Sequence, residues 1–264
     1  FTCWRLLRFT FPSIIMLIFT SVYGVVDGFF VSNFVGKTPF AAVNLIMPYL
    51  MILGCIGFMF GTGGSALIAK TMGEGKAERA NEIFSLLIYT SAACGVVLAA
   101  LGIAFLPGAA SLMGAEGRLL EDCVAYGVIN LAALPFYVLQ FEFMCLFAAA
   151  EKPRLGLYVT VAAGLTNMAL DAVLVGVLRF GLEGAAAATA MSQLVGGAAP
   201  LVYFGRKNTS RLRLVRCKFD GRALRRACAN GSSELMSNVS MSLVSMLFNV
   251  RLMKYAGENG IAAY

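Results

Sequence analysis

Six apolar runs, each long enough to cross a hydrocarbon core, constrain this chain more than any motif in it. They lie at roughly 9–35, 43–69, 83–106, 124–150, 155–178 and 182–204, and a seventh starts near 235 and reaches about 255. A bilayer core of about 30 Å needs about 20 apolar residues in an α-helix, and inside it every backbone N–H and C=O must find its partner within the segment. The runs therefore predict an all-α, polytopic membrane protein: a six-helix bundle followed by a seventh helix. Turn and interface residues punctuate them at Gly36-Lys37-Thr38-Pro39, Gly73-Glu74-Gly75-Lys76, Glu151-Lys152-Pro153-Arg154 and Arg179-Phe180-Gly181. The first run is too long for a cleavable signal peptide and lacks its small-residue exit.

Composition agrees and removes whole classes of chemistry. Hydrophobic residues make up 59% of the chain and charged ones 13%, where soluble domains carry about 25% charged. There is no histidine, so Ser-His-Asp hydrolysis, histidine metal sites and histidine pH switches are excluded. The seven cysteines are scattered and never spaced as C-x-x-C, so they read as small apolar packing residues.

The net charge of +7 is explained by placement. With the N-terminus inside, the inner segments hold Arg5, Arg8, Lys70, Lys76, Arg79, Lys152, Arg154 and nine more between Arg206 and Arg226, sixteen against five outside. That is the lysine and arginine bias of a cytoplasmic face, predicting N-inside insertion in the cytoplasmic membrane. The basic segment reads as a loop beside anionic lipid, not a nucleic-acid surface, because Phe219 is almost its only aromatic residue.

An internal repeat extends the fold. A shift of 221 residues sets Gly36 on Gly257, Ala41-Ala42 on Ala262-Ala263 and Ser21 on Ser242, with Ile14-Ile15 over Leu235-Met236. The seventh helix thus starts a second copy of the first six, and two copies make a twelve-helix protein of about 440 residues of which this chain is a fragment. The organisation read is a six-helix lobe at 1–204, a basic cytoplasmic linker at 205–230, and the truncated first helix of a second lobe at 231–264.

Inside the spans, ionisable side chains carry the information, since each carboxylate at a helix centre costs roughly 2.5–3.5 kcal/mol on insertion scales. Three of the fourteen acidic residues lie deep: Asp27, Glu142 and Asp171. Thr20, Tyr23, Gly24, Asp27 and Gly28 share one face of the first span, with Tyr23 placed to hydrogen-bond Asp27. Thr160, Gly164, Asn167 and Asp171 form a second polar stripe in the fifth, and Thr189 and Gln193 a third in the sixth. Three faces of oxygen-bearing groups suggest one shared cavity. Such oxygens suit a hard cation such as Na⁺, and two nearby carboxylates suit one shared proton. Gly54, Gly57, Gly61 and Gly64 in the second span read as a seam for close helix contact, and Gly61-Thr62-Gly63-Gly64 lacks the Gly-Lys-Ser/Thr of a phosphate loop.

The run Phe11-Pro12, Tyr23-Gly24, Asp27-Gly28-Phe29-Phe30-Val31-Ser32, then Ala66, Met72-Gly73, Gly75 and Asn167-x-x-x-Asp171, resembles the multidrug and toxic compound extrusion family. Gly231-Ser232-Ser233-Glu234-Leu235 and Ala256-Gly257-Glu258 with Ala262-Ala263-Tyr264, flanking the seventh span, resemble it too, so the likeness covers essentially the whole chain. The resemblance implies two six-helix lobes around a central cavity, exporting amphipathic organic cations against an inward flow of H⁺ or Na⁺, as a monomer with no cofactor beyond the ion. It implies a cation site at Asp27, Asn167, Asp171 and Thr189, the same four serving as ligands if the ion is Na⁺. Tyr23 and Gln193 would support it, and Pro12 would be the first-span bend. Two departures stand out. Ala172 follows the fifth-span aspartate where many members have proline, and the seventh span offers Asn238, Ser240, Ser242, Ser245 and Asn249 where some branches have a glutamate, which assigns coupling to this lobe.

Two rivals fit less well. A lipid-linked oligosaccharide flippase of the same superfold would line its cavity with basic residues, and none lies deep in the six spans. An intramembrane aspartyl protease is expected to carry Tyr-Asp and Gly-x-Gly-Asp, where this chain has Val26-Asp27 and Leu170-Asp171. The chain is therefore read as a transporter and not an enzyme.

Overall fold

The computed structural model describes residues 3–263, without the side chains of 3–10, 12, 13, 17, 258, 259, 262 and 263. Among the described residues the protein is all helix and loop. The first span is α1 (Cys3–Phe30), continued by a π-helical segment, Val31–Val35. The second is α2 (Lys37–Gly54) running into α3 (Ile56–Gly73), and the third is α4 (Ala77–Leu112). The fourth is a bent pair, α5 (Gly117–Ala132) and α6 (Leu134–Ala149), meeting at 59°. The bend has a local cause: Pro135 enters the first turn of α6, has no N–H to give, and its ring collides with the carbonyl four residues earlier. The fifth span is α7 (Pro153–Leu170) with a π-helical segment, Asp171–Val177; the sixth is α8 (Gly181–Gly205) and the seventh α9 (Gly221–Ala263).

The glycine seam of the second span lets its neighbours approach to backbone contact. A Cβ on Gly57 would strike the carbonyl oxygen of Val138, and one on Gly61 would stand 3.0 Å from the Cα of Glu142, so α3 lies directly on α6. Gly64 turns instead to Leu87 of α4, and Gly63, outside the seam, meets Ala227 of α9. Beside this crossing Phe84, Phe143 and Phe204 cluster with ring centroids 5.1–6.4 Å apart, Phe143 stacked on Phe204 and Phe84 edge-on to it, filling one of two apolar cores.

The basic segment is shorter and more ordered than the sequence reading placed it. It is non-helical only over 206–220, lying across the ends of α4 and α8: Leu214 N–H donates to Phe204 O, Arg213 N–H to Asn81 Oδ1, and Val215 N–H to Ser85 Oγ. Asp220 then starts α9 by accepting the N–H groups of Arg222 at 2.9 Å and Ala223 at 3.2 Å, so the helix begins at Gly221 and carries Arg222, Arg225 and Arg226. Those two N–H groups, with the Arg79 guanidinium bonded to the same carboxyl, hold Asp220 below the usual carboxylate range.

The two glycines that the 221-residue shift superposes both have positive φ. Gly36, which ends the first span, has φ 116°, and Gly257, its counterpart in the seventh, has φ 61°. Both occupy a region that glycine enters at little cost, and both break a helix. Asn249 of α9 donates to the carbonyl of Asn44 on α2 at 3.0 Å, joining the start of the second copy to the first.

Candidate functional site

Five spans converge on a cavity of about 200 Å³. α1 contributes Thr20, Tyr23, Gly24 and Asp27, α7 contributes Asn167, and α8 contributes Thr189, Ser192 and Gln193. All but Ser192 are members of the three polar stripes, brought to one wall. Asp171 is fully buried and lies behind that wall, as an electrostatic neighbour of Asp27, while Asn167 neighbours Asp27 as well. The side chain of Pro12, to which the first-span bend is assigned, is not among those described; its backbone lies within α1. Thr160 lines a smaller recess of about 30 Å³, shared with Thr20, Tyr23 and Gln140. Glu142 is elsewhere, buried under α3.

Local structure explains how the two aspartates meet. α1 and α7 pack closely because Gly164 leaves no side chain between them: a Cβ there would come within 2.5 Å of Phe19 and 3.2 Å of Tyr23. Ser192 Oγ donates to the carbonyl of Ala163 at 2.9 Å, tying α8 to α7 one turn before Asn167. At Asp171 the helix passes from α to π winding without any proline, so Ala172 follows the aspartate within a widened turn. Such single-turn widenings commonly mark functional positions.

The oxygens of this wall are unusual in being unanswered. Asp27 Oδ1, Asn167 Oδ1, both oxygens of Asp171, Thr189 Oγ1 and Gln193 Oε1 are buried and accept no hydrogen bond. Buried acceptors are normally satisfied, so a cluster of them selects for a proton or a hard cation that several oxygens can hold together. A soft or transition metal is not what this set fits: no group of three histidine, cysteine or carboxylate side chains forms among the described residues.

The fourth span supplies what the sequence reading missed. Tyr126 and Asn130 of α5 and Tyr137 and Gln140 of α6 complete the lining of the cavity. Tyr126, 1% exposed, is a shared neighbour of Asp27, Asp171 and Thr189. Its signal was present as the i, i+4 pair Tyr126 and Asn130, but uncharged side chains do not stand out in an apolar run.

Comparison with known proteins gives the arrangement a place. The MatE family model matches residues 12–173. The multidrug export protein MepA of Staphylococcus haemolyticus is 26% identical over 260 residues, 98% of this chain and 57% of that protein. MepA of Staphylococcus saprophyticus is 25% identical over 262 residues, again 57% of its length, so the chain spans a little more than half of the curated relatives it matches. Among solved structures, an inward-facing multidrug resistance MATE family transporter of the MOP superfamily superposes with a TM-score of 0.86 at 24% identity, covering 92% of this chain and 55% of that one. An outward-facing conformation of such a transporter gives 0.85 at 24% identity over 97% of this chain and 57% of the other. With the family model matched over more than half of its residues and the helical bundle superposing on that fold, this chain belongs to the MatE family of membrane transporters.

Proposed function

We propose that this chain is the N-terminal lobe of a multidrug exporter that moves amphipathic organic cations out of the cell against an inward flow of H⁺ or Na⁺. Asp27, Asn167, Asp171 and Thr189 hold the coupling ion, with Tyr23, Tyr126 and Gln193 around them. The observation that carries this reading is the cluster of unanswered oxygens beside two neighbouring carboxylates on a cavity wall. An ion entering from outside satisfies those oxygens; a cationic drug entering from inside competes for the same negative charge, so occupancy by one excludes the other. The available driving force is about 2.3 kcal/mol per charge per 100 mV and about 1.4 kcal/mol per pH unit. The names of the relatives and the basic end of the bundle support export across the cytoplasmic membrane with the N-terminus inside.

The test is ethidium efflux from cells expressing the full-length protein, with the proton and sodium gradients collapsed in turn. Efflux should disappear in Asp27→Asn at normal membrane levels and on collapse of one gradient, which names the ion. Parental efflux in Asp27→Asn would overturn the reading.

A further inference from the structure

The third intramembrane carboxylate, Glu142, takes no part in the cavity. It sits on α6, 0% exposed, and neither carboxyl oxygen has a hydrogen-bond partner. α3 faces it with glycine backbone, since a Cβ on Gly61 would stand 3.0 Å from both its Cα and its carbonyl oxygen. α4 brings Ser91 beside it, and because the Ser91 hydroxyl donates to Leu87 O at 2.7 Å its proton is already committed and its oxygen is left as an acceptor. Leu139, Phe143 and Leu146, the neighbouring turns of α6, belong to the apolar core.

The titratable groups near it are few. Cys145 on the same helix is its neighbour, and Cys145 in turn neighbours Glu234 of α9 and lies 3.7 Å from the hydroxyl of Thr62 on α3. α2, α5, α7 and α8 also pack on α6, yet they place no titratable group beside Glu142, and no lysine or arginine neighbours it among the described residues. An ionised carboxylate here has neither a countercharge nor an N–H to receive. The acid form has a use for Ser91, which can accept its O–H. One hydroxyl among apolar groups cannot coordinate a metal cation, which needs several oxygens. Beyond Cys145, Thr62 and Glu234 are exposed where α9 crosses α3.

We propose that Glu142 is a second proton-binding site, selective for H⁺ over metal cations, filled and emptied along the Cys145, Thr62 and Glu234 edge between α3 and α9. Because α9 begins the second copy of the repeat, movement between the copies would open and close that edge. The inference does not rest on drug export and holds for any cargo.

Infrared spectroscopy of the full-length protein in nanodiscs over a pH series tests it. In the double variant Asp27→Asn, Asp171→Asn a protonated-carboxyl band should remain, fade as pH rises identically in Na⁺ and K⁺ buffers, and vanish when Glu142→Gln is added. In that background, a band that persists after Glu142→Gln, that never titrates while the protein stays folded, or that shifts with Na⁺ overturns the proposal. Ser91→Ala keeps the carboxyl and removes its acceptor, so the titration midpoint should move; an unmoved midpoint counts against the site even if Glu142→Gln fails to fold. Loss of efflux in Asp27→Asn with the Glu142 band intact, or efflux kept without that band, separates this inference from the export reading.

Discussion

Beside Asp27 the spans leave a cavity of about 200 Å³ lined with oxygens, whereas around Glu142 they close until backbone meets backbone. The same lobe contains both. In the cavity half, α1 and α7 end in π-helical turns, and Gly24 has open space where a Cβ would go. In the other half, Gly57, Gly61 and Gly63 bring α3 onto α6 and α9, beside the cluster of Phe84, Phe143 and Phe204. Glycine alone therefore does not make a tight crossing; it does so only where a neighbouring backbone occupies the freed space. The open half leaves its polar atoms free to bind, and the closed half holds the lobe together and carries the contact with α9.

The contrast can be broken most directly at its functional end. Asp171→Asn should abolish coupled efflux of ethidium while the thermal midpoint of the purified protein holds or rises, since a buried charge has been removed; a large fall in midpoint would mean that the wall is structural. Phe143→Ala should cost about 3–5 kcal/mol, the usual penalty for emptying a buried aromatic site, and lower the thermal midpoint in detergent. If trimming Met47 on the cavity wall to Ala costs as much, the two halves are not packed differently. A paired glycine test sharpens the point: Gly57→Ala should destabilise by about 1–3 kcal/mol through overpacking against α6. Gly24→Ala should be neutral or stabilising, by up to about 1 kcal/mol, because alanine is the better helix former. Both are read from the same melting curves.

The smallest effect lies outside the membrane. The Asp220 carboxyl is held below its usual range, so its contribution to anchoring α9 is present above the unfolded value of about 3.9 and is lost as pH falls through the lower folded value. Hydrogen exchange in the first turn of α9 should therefore accelerate on acidification below about pH 4 in the wild type, and Asp220→Asn should flatten that dependence. An identical pH profile in the two would remove Asp220 from the account.

Much of this was legible before any coordinates. The apolar runs fixed the number of spans because backbone pairing in lipid leaves helices as the economical solution, and the stripes through Asp27, Asn167 and Thr189 followed from helical periodicity. The fourth span defeated the same method: its helix turns through 59° at Ala133, so no single phase carries from Tyr126 to Gln140. The start of α9 was placed too late because apolar content rises only near Leu235, while the helix is set going by Asp220 and runs through a basic, polar first stretch that α3 covers. The 221-residue shift pairs Gly36 with Gly257, and both have positive φ, 116° and 61°.

By itself the sequence determined the all-helical bundle, its basic segment and the three polar stripes, because each depends on composition or on spacing within one helix. Only the tertiary structure decided that Asp27 and Asp171 are neighbours, that Tyr126 neighbours them and Thr189, and that Glu142 lies apart under Gly61. Those are contacts between helices far apart in the chain, and they are set by which side chains are small enough to let backbones meet.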